Sequence, residues 1–185
     1  MGCQATNLEE FPDLDDPKVL SQIVARAVSK DKLESKRIKG YLVLCVPGTE
    51  DAYSGWMKEA RENGKLKTLG KLKGGKKEGQ WTSWGKNGKK KSEIHYVADV
   101  MDGSFVEWHP NGKIRTRGQT KDGEMDGRWV GWYANGVKAG VQWCRKGLLV
   151  SALSWKPDGT KCPDTNATKG KGVFVQYNGD GSVEK

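Results

Sequence analysis

The residue types that most often carry catalysis are sparse in this chain, which has two histidines and four cysteines among 185 residues. His95 and His109 have no recognisable nucleophile or acid motif beside them, and a general base needs an oriented partner. The sequence also lacks a nucleophile elbow, a phosphate-binding glycine loop and a paired-carboxylate arrangement. We therefore predict that the protein is not an enzyme and has no metal, no cofactor and no small-molecule substrate.

The cysteines have none of the C-x-x-C or Cys/His spacings that hold zinc. Cys144 and Cys162 are close in sequence and could form a disulfide in an oxidising compartment, or both could be small buried residues. Cys3 follows Gly2, as at the end of a bacterial lipobox, which makes Cys3 a candidate site of lipid attachment. The alternatives are an unmodified terminus and myristoylation of Gly2, because the first six residues fit M-G-x-x-x-[ST].

The net charge of +9 is concentrated in one part of the chain. Residues 61–91 hold eleven bases against two acids, whereas residues 1–34 hold seven acids against four bases. Such a basic band could attract an anionic lipid surface, nucleic acid or an acidic partner, or it could be the solvated face of Lys-rich strands. The candidate contacts with an anionic surface are Lys67, Lys71, Lys73, Lys89, Lys90 and Lys91.

Turn dipeptides recur along the chain at a nearly fixed period. They are Asn63-Gly64, Asn87-Gly88, Asn111-Gly112, Asn135-Gly136, Asp158-Gly159 and Asp180-Gly181. Their glycines are 24, 24, 24, 23 and 22 residues apart. Aromatic residues follow the same period, seven and four positions before most of these glycines. A fixed period in this range is typical of a repeat architecture.

Each repeat is predicted to be a short antiparallel hairpin. Asn-Gly and Asp-Gly favour tight turns in which both central residues have positive φ, and alternating apolar and polar residues follow each turn. Because a lone hairpin is marginally stable, neighbouring hairpins must pair. We predict a mainly β fold: about six hairpins of roughly 24 residues that form a meandering open sheet. The tryptophan columns would supply its core, which argues against their stacking on nucleic acid.

One helix is predicted before the array. Residues 15–36 carry a capping Asp, Pro17 in the first turn and an apolar stripe from Val19 to Val28. Its expected role is to cover the first edge of the sheet. The predicted organisation is an acidic flexible tether at 1–16, a helix at 17–36 and the repeat array at 37–185.

The unit G-x-W-x-x-W-x-x-N-G-K resembles the variant MORN repeat. The stretch that begins "YSGWMKEARENGKLKTLGKLKGG" is similar to bacterial proteins of the YwqK-type antitoxin-like family, and the resemblance covers roughly residues 51–185. It implies hairpin arrays that act as interaction surfaces, and the antitoxin label implies neutralisation of a toxin by binding. We therefore expect a non-enzymatic binding module with a protein partner. Its expected location is the bacterial envelope, anchored through a lipidated Cys3, with the cytoplasm as the alternative.

Overall fold

The computed structural model of the protein describes residues 12–169 and 171–184. These residues form one α-helix, one 3-10 helix and twelve β-strands. In chain order they are α1 Pro17–Arg26, β1 Val28–Ser29, the 3-10 helix Lys30–Lys32, β2 Glu34–Ile38, β3 Tyr41–Cys45, β4 Gly55–Ala60, β5 Leu66–Lys73, β6 Lys76–Trp84, β7 Lys90–Val97, β8 Val100–Trp108, β9 Ile114–Lys121, β10 Glu124–Trp132, β11 Lys138–Arg145 and β12 Leu148–Ser154.

Ten strands form one open sheet in the order β1-β4-β5-β6-β7-β8-β9-β10-β11-β12. From β4 onward each strand pairs antiparallel with the next strand in sequence, so the sheet is a meander. Strands β2 and β3 form a separate hairpin. The predicted mainly β fold, with one helix and successive hairpin strands, is confirmed.

The helix α1 begins where the sequence predicts it. The Asp16 carboxylate accepts a hydrogen bond from the Lys18 backbone N–H at 2.8 Å, and Pro17 follows the cap. Residues 1–11 of the predicted tether, which spans 1–16, lie outside the described residues. From residue 12 the segment packs on the sheet, because Leu14 is buried in the same apolar cluster as Leu69 and Trp84.

The predicted end of the helix at residue 36 is wrong. The helix ends at Arg26, and Ala27 is extended. The next two residues, Val28–Ser29, pair in parallel with β4 and form the first edge of the sheet. The apolar stripe also ends at Val28, and Leu33 packs in a different cluster, with Met57 and Trp81. Pairing with β4 in addition satisfies backbone groups.

The Asn-Gly dipeptides close four hairpins, but not as two-residue turns. The four loop glycines have φ between 75° and 95°, namely Gly64, Gly88, Gly112 and Gly136, and the asparagine before each has no positive φ. Each glycine amide donates to the carbonyl three residues earlier, as Gly112 donates to His109 at 2.8 Å. The loop is therefore a type I turn followed by a left-handed glycine. We call this end of the strands the Asn-Gly edge.

The two-residue turns with two positive φ values lie at the opposite end of the strands. Asp122 and Gly123 have φ of 52° and 86°, and Lys146 and Gly147 have φ of 48° and 73°. These are the values that a type I′ turn requires at its central positions. The turn chemistry predicted for the Asn-Gly dipeptides thus belongs to the other edge of the sheet.

The array has four complete strand hairpins, where about six were expected. Asp158-Gly159 and Asp180-Gly181 also form turns, but their flanks pair only through the single bridges Trp155–Lys161 and Tyr177–Val183. The alternating pattern is lost after residue 160, so this part of the chain has no apolar strand face to add to the sheet. It folds over the sheet instead, with Phe174 against Gly140.

The two faces of the sheet are covered at different places. On the face that we call the helix face, α1 packs against Leu69 and Trp84. On the other face, the β2–β3 hairpin contributes Leu44 to a cluster with Met57 and Trp81. The C-terminal segment covers that other face near β11 and β12.

Two tryptophans pack on glycines of the neighbouring strand. The Trp81 ring lies over Gly70 and the Trp129 ring over Gly118, so closely that a Cβ on either glycine would stand 2.2 Å from a ring carbon. The Trp81 Nε1–H donates to a backbone carbonyl oxygen at 3.0 Å, and the Trp129 Nε1–H does so at 2.9 Å. Both indoles are buried. The predicted core role of this tryptophan column is confirmed.

The ring-on-glycine pair recurs in every second repeat. Trp81 and Trp129 are 48 residues apart, as are Gly70 and Gly118. In the repeat between them Ile94 and Phe105 take the places of the glycine and the tryptophan, and Phe105 stands opposite Ile94 on one side and Gly118 on the other. The Phe105 ring centroid lies 5.1 Å from that of Trp129. The Trp-on-Gly pair therefore joins β5 to β6 and β9 to β10 but not β7 to β8, whereas an Asn-Gly turn closes each of the four hairpins.

Replacement of Gly118 by alanine should destabilise the sheet strongly. The added Cβ would overlap the Trp129 ring and force a rotamer or backbone shift, which costs about 2–3 kcal/mol in a packed core. Urea denaturation followed by far-UV circular dichroism measures the change in the free energy of unfolding.

The matched control is Gly131→Ala in β10. There a Cβ would meet its nearest heavy atom, the Arg115 carbonyl oxygen, at 3.8 Å, an ordinary contact distance. Gly131→Ala should leave the free energy of unfolding unchanged or raise it by up to about 1 kcal/mol, because alanine restricts the unfolded chain. Equal effects of the two substitutions would contradict the ring-on-glycine packing.

Candidate functional site

The Asn-Gly edge is held together by a ladder of asparagine side chains. Asn111 Oδ1 accepts from the backbone N–H of Lys113 within its own loop at 3.0 Å. Its Nδ2 donates to the carbonyl oxygen of Ala134 in the next loop at 2.7 Å. Asn87 and Asn135 make the same two kinds of bond. An asparagine is needed here because the amide both accepts and donates.

A second ladder starts from the first residue of each loop. Its side chain donates to the backbone carbonyl oxygen of the tryptophan that ends the next hairpin's first strand, or in the last case of Trp155 just after β12. Arg61 bonds Trp84 O at 2.6 Å, His109 bonds Trp132 O at 2.8 Å, and Tyr133 bonds Trp155 O at 2.7 Å. In the second hairpin this position is Gly85, which has no side chain.

The ladder explains one of the two histidines. His109 links two repeats, and His95 contacts the Asp102 carbonyl oxygen through Nδ1 at 2.7 Å. In each histidine one ring nitrogen therefore faces a backbone oxygen. In residues 12–169 and 171–184 there is no group of three or more His, Cys, Asp or Glu side chains that could hold a metal ion.

The six lysines of the predicted basic band do not lie together. Lys73 ends β5, at the edge opposite the Asn-Gly loops, whereas Lys89 and Lys91 lie at or next to those loops. Lys67 pairs with Glu59 at 2.8 Å, and Lys71 lies over the Trp56 ring with its Nζ 5.3 Å from the centroid. The lysines that share one location are Lys89, Lys90 and Lys91.

Two of these three lysines bond to other groups of the same chain. Lys89 Nζ donates to the Asn111 carbonyl oxygen at 3.0 Å. Lys90 pairs with Asp15 at 2.6 Å and with Glu93. Burial of Lys90 opposes its charge, but the hydrogen bonds to these two carboxylates raise its pKa. Lys91 is exposed.

Of the two alternatives for Cys144 and Cys162, the structure has two small buried residues and not a disulfide. Both residues are free, buried thiols, as is Cys45. Cys144 lies in β11 opposite Gly127, and the Cys162 sulfur lies 3.1 Å from the Tyr177 hydroxyl in the C-terminal segment. Burial opposes ionisation of Cys162, but hydrogen bonds from Tyr177 and Thr165 lower its pKa to about 7. Cys3 lies outside the described residues.

An exposed tryptophan on the helix face was not singled out from the sequence. Trp143 lies seven residues after its loop glycine, where the other repeats have Lys71, His95 and Gln119. It is 37% exposed and stands opposite Arg128 in the preceding strand, β10. Arg128 and the nearby Arg117 are exposed as well. Comparison of these equivalent positions in the sequence would have singled out Trp143, because the other three residues are polar.

Comparison with known families supports the repeat interpretation. Residues 77–98 and 101–122 match the MORN repeat variant. These two segments are similar to MORN repeats. Each matched segment coincides with one Asn-Gly hairpin, β6–β7 and β8–β9. MORN repeats generally serve as binding modules, and this sheet is consistent with a non-enzymatic scaffold. A search of curated proteins gave no match.

No helix in the described part of the chain is long and apolar enough to cross a membrane. The hairpin array presents two surfaces, the Asn-Gly edge with its lysines and the helix face around Trp143.

Substitution of Tyr133 by phenylalanine tests the second ladder. The change removes only the hydroxyl that bonds the Trp155 carbonyl oxygen, in a side chain that is 8% exposed. The free energy of unfolding should fall by about 1 kcal/mol, as for loss of one buried hydrogen bond. Thermal denaturation with near-UV circular dichroism is the measurement. Tyr41→Phe, at a site that is 64% exposed, is the control and should leave stability unchanged.

Proposed function

We propose that the protein is a non-enzymatic scaffold that binds a partner protein on the helix face of its C-terminal hairpins. The observation that carries this proposal is the exposed indole of Trp143 beside Arg128. Tryptophan and arginine are the residue types that most often dominate the binding energy of protein interfaces. An indole held on a rigid sheet loses little conformational entropy when a partner covers it.

The surroundings of Trp143 support this choice. On the same face Val130 and Val141 are buried and form an apolar base, and Arg117 stands opposite Val130. The result is an apolar centre with cationic side chains at its margin, and the aliphatic stems of the arginines extend the apolar area. The preferred partner surface is apolar at its centre and acidic around it.

The test is substitution of Trp143 by glutamine, the residue type found at the equivalent position 119. Because another repeat carries glutamine there, the fold should be retained. Affinity capture from the native organism, with mass spectrometry, should recover partner proteins with the wild-type chain, and the variant should recover them at least about tenfold less. Gln119→Ala is the matched control. A partner captured equally by wild type and Trp143→Gln would refute this placement of the interface.

The partner that the antitoxin-like resemblance implies is a toxin. In that case co-expression of the scaffold should rescue growth of cells that produce the toxin, and Trp143→Gln should abolish rescue while the protein stays folded. Rescue that does not depend on Trp143 would separate the antitoxin role from this interface.

We further propose attachment to the bacterial envelope membrane through a lipid on Cys3. The Gly-Cys dipeptide at the amino terminus supports it, and the exposed Lys91 near the Asn-Gly edge would add attraction to anionic lipids. Mass spectrometry of the native amino terminus should find an acylated Cys3. An unmodified Cys3 would overturn the membrane anchor without affecting the scaffold proposal.

A further inference from the structure

Gly85 interrupts the ladder that joins the other hairpins. Arg61, His109 and Tyr133 each extend a side chain to the next repeat at this position, and Gly85 has none to extend. The loop backbone is nevertheless the same. Gly85 N–H donates to Lys89 O at 2.8 Å, as His109 and Tyr133 donate to the residues four positions later, also at 2.8 Å. Gly85 is therefore a gap in an otherwise regular edge.

The gap opens a cleft of about 610 Å³ between the second and third hairpins. This volume is in the range of small-molecule sites. Its lining residues are Gly85, Lys86, Asn87, Lys89, Lys90, Lys91, Trp108, His109, Pro110 and Arg115.

The lining is cationic, with one aromatic ring. It includes four lysines and one arginine, and no carboxylate. The charge of Lys90 is balanced by the carboxylates of Asp15 and Glu93. Arg115 Nη1 lies 4.0 Å from Glu107 Oε2. Lys86, Lys91 and Arg115 are exposed at the rim, so their charges can reach a bound anion.

Trp108 gives the cleft an aromatic surface. It is half-buried, whereas Trp84 at the equivalent position of the previous repeat is 8% exposed and lies beneath the helix. Pro110 adds apolar surface next to it. An indole beside lysine and arginine side chains suits a planar ring that carries a negative group, because the ring stacks and the anion pairs.

We propose that this cleft binds a small phosphate ester of a planar ring, of the size of a nucleoside monophosphate. The ring packs against Trp108, and the phosphate is held by Lys86, Lys91 and Arg115. This site is separate from the helix-face interface at Trp143, so either can exist without the other.

The decisive variant is Gly85→His, which gives the second hairpin the residue of the third. Gly85 has no positive φ, and the same loop holds a histidine at His109. A Cβ at position 85 would stand 2.9 Å from the side-chain oxygen of Asn87, which can shift. The new side chain should reach the Trp108 carbonyl oxygen and fill the cleft while the fold is kept.

Isothermal titration calorimetry with adenosine 5′-monophosphate, adenosine and inorganic phosphate tests the site in the full chain. The monophosphate should bind, and adenosine or phosphate alone should bind at least about tenfold more weakly. Gly85→His should abolish binding. Lys91→Gln should weaken binding about tenfold, whereas Lys73→Gln, at the opposite edge, should leave it unchanged.

Three results would overturn the proposal. They are no binding of the monophosphate by the wild-type chain, equal binding of inorganic phosphate, and full binding by folded Gly85→His. Circular dichroism of each variant establishes that it is folded before titration.

Discussion

The structure depends on bonds that each hairpin makes to the backbone of the next one. A two-stranded hairpin is marginal in water, and here no hairpin of the array stands alone. Strand pairing supplies the regular bonds, and side chains add others at the Asn-Gly edge: Asn111 reaches the loop of the next repeat, and His109 reaches the tryptophan carbonyl oxygen beyond it. Because these acceptors are backbone groups, the pattern persists whatever side chain the neighbour carries.

This principle explains how a chain with few aliphatic residues can keep an extended sheet. Its buried residues include a few aliphatic side chains such as Leu69 and Val141, together with indoles, glycines and small polar residues such as Thr82 and Thr120. The faces are covered only in places, by α1, the β2–β3 hairpin and the C-terminal segment. What is left open is where the repeats differ from one another, as at Trp143 and Gly85. Both proposed binding sites lie at such exceptions, because the side chains at the common positions are used to join one repeat to the next.

Much of the fold follows from the sequence. The period of the Asn-Gly dipeptides predicted the hairpins, their order and the open sheet, because turn chemistry and strand alternation are local properties. The end of α1 and the packing of the C-terminal segment on the sheet were not predicted. They depend on what the rest of the chain offers, namely a free edge at β4 and a sheet face near Gly140.

The candidate sites were less accessible from the sequence. Counting lysines grouped Lys73 with Lys89, but the strand that separates them places them at opposite edges of the sheet. Sequence proximity likewise joined Cys144 to Cys162, although one thiol lies in β11 and the other faces Tyr177. In both cases two residues that are close in sequence lie apart in space, because the chain reverses direction between them. Trp143 and Gly85 differ in residue type from the equivalent positions of the other repeats, and that difference is present in the sequence.

The alternation of large and small residues sets the step by which such an array can change its length. Trp81 requires a bare backbone beneath it, and Gly70 provides one; Phe105 accepts Ile94. Deletion of the hairpin that carries Trp81 and Ile94 would place the smaller Phe105 ring over Gly70 and leave part of the indole's space empty. Deletion of two neighbouring hairpins together would instead bring Trp129 over Gly70, which repeats the existing pair. Two hairpins can therefore be lost together with less disturbance of this packing than one.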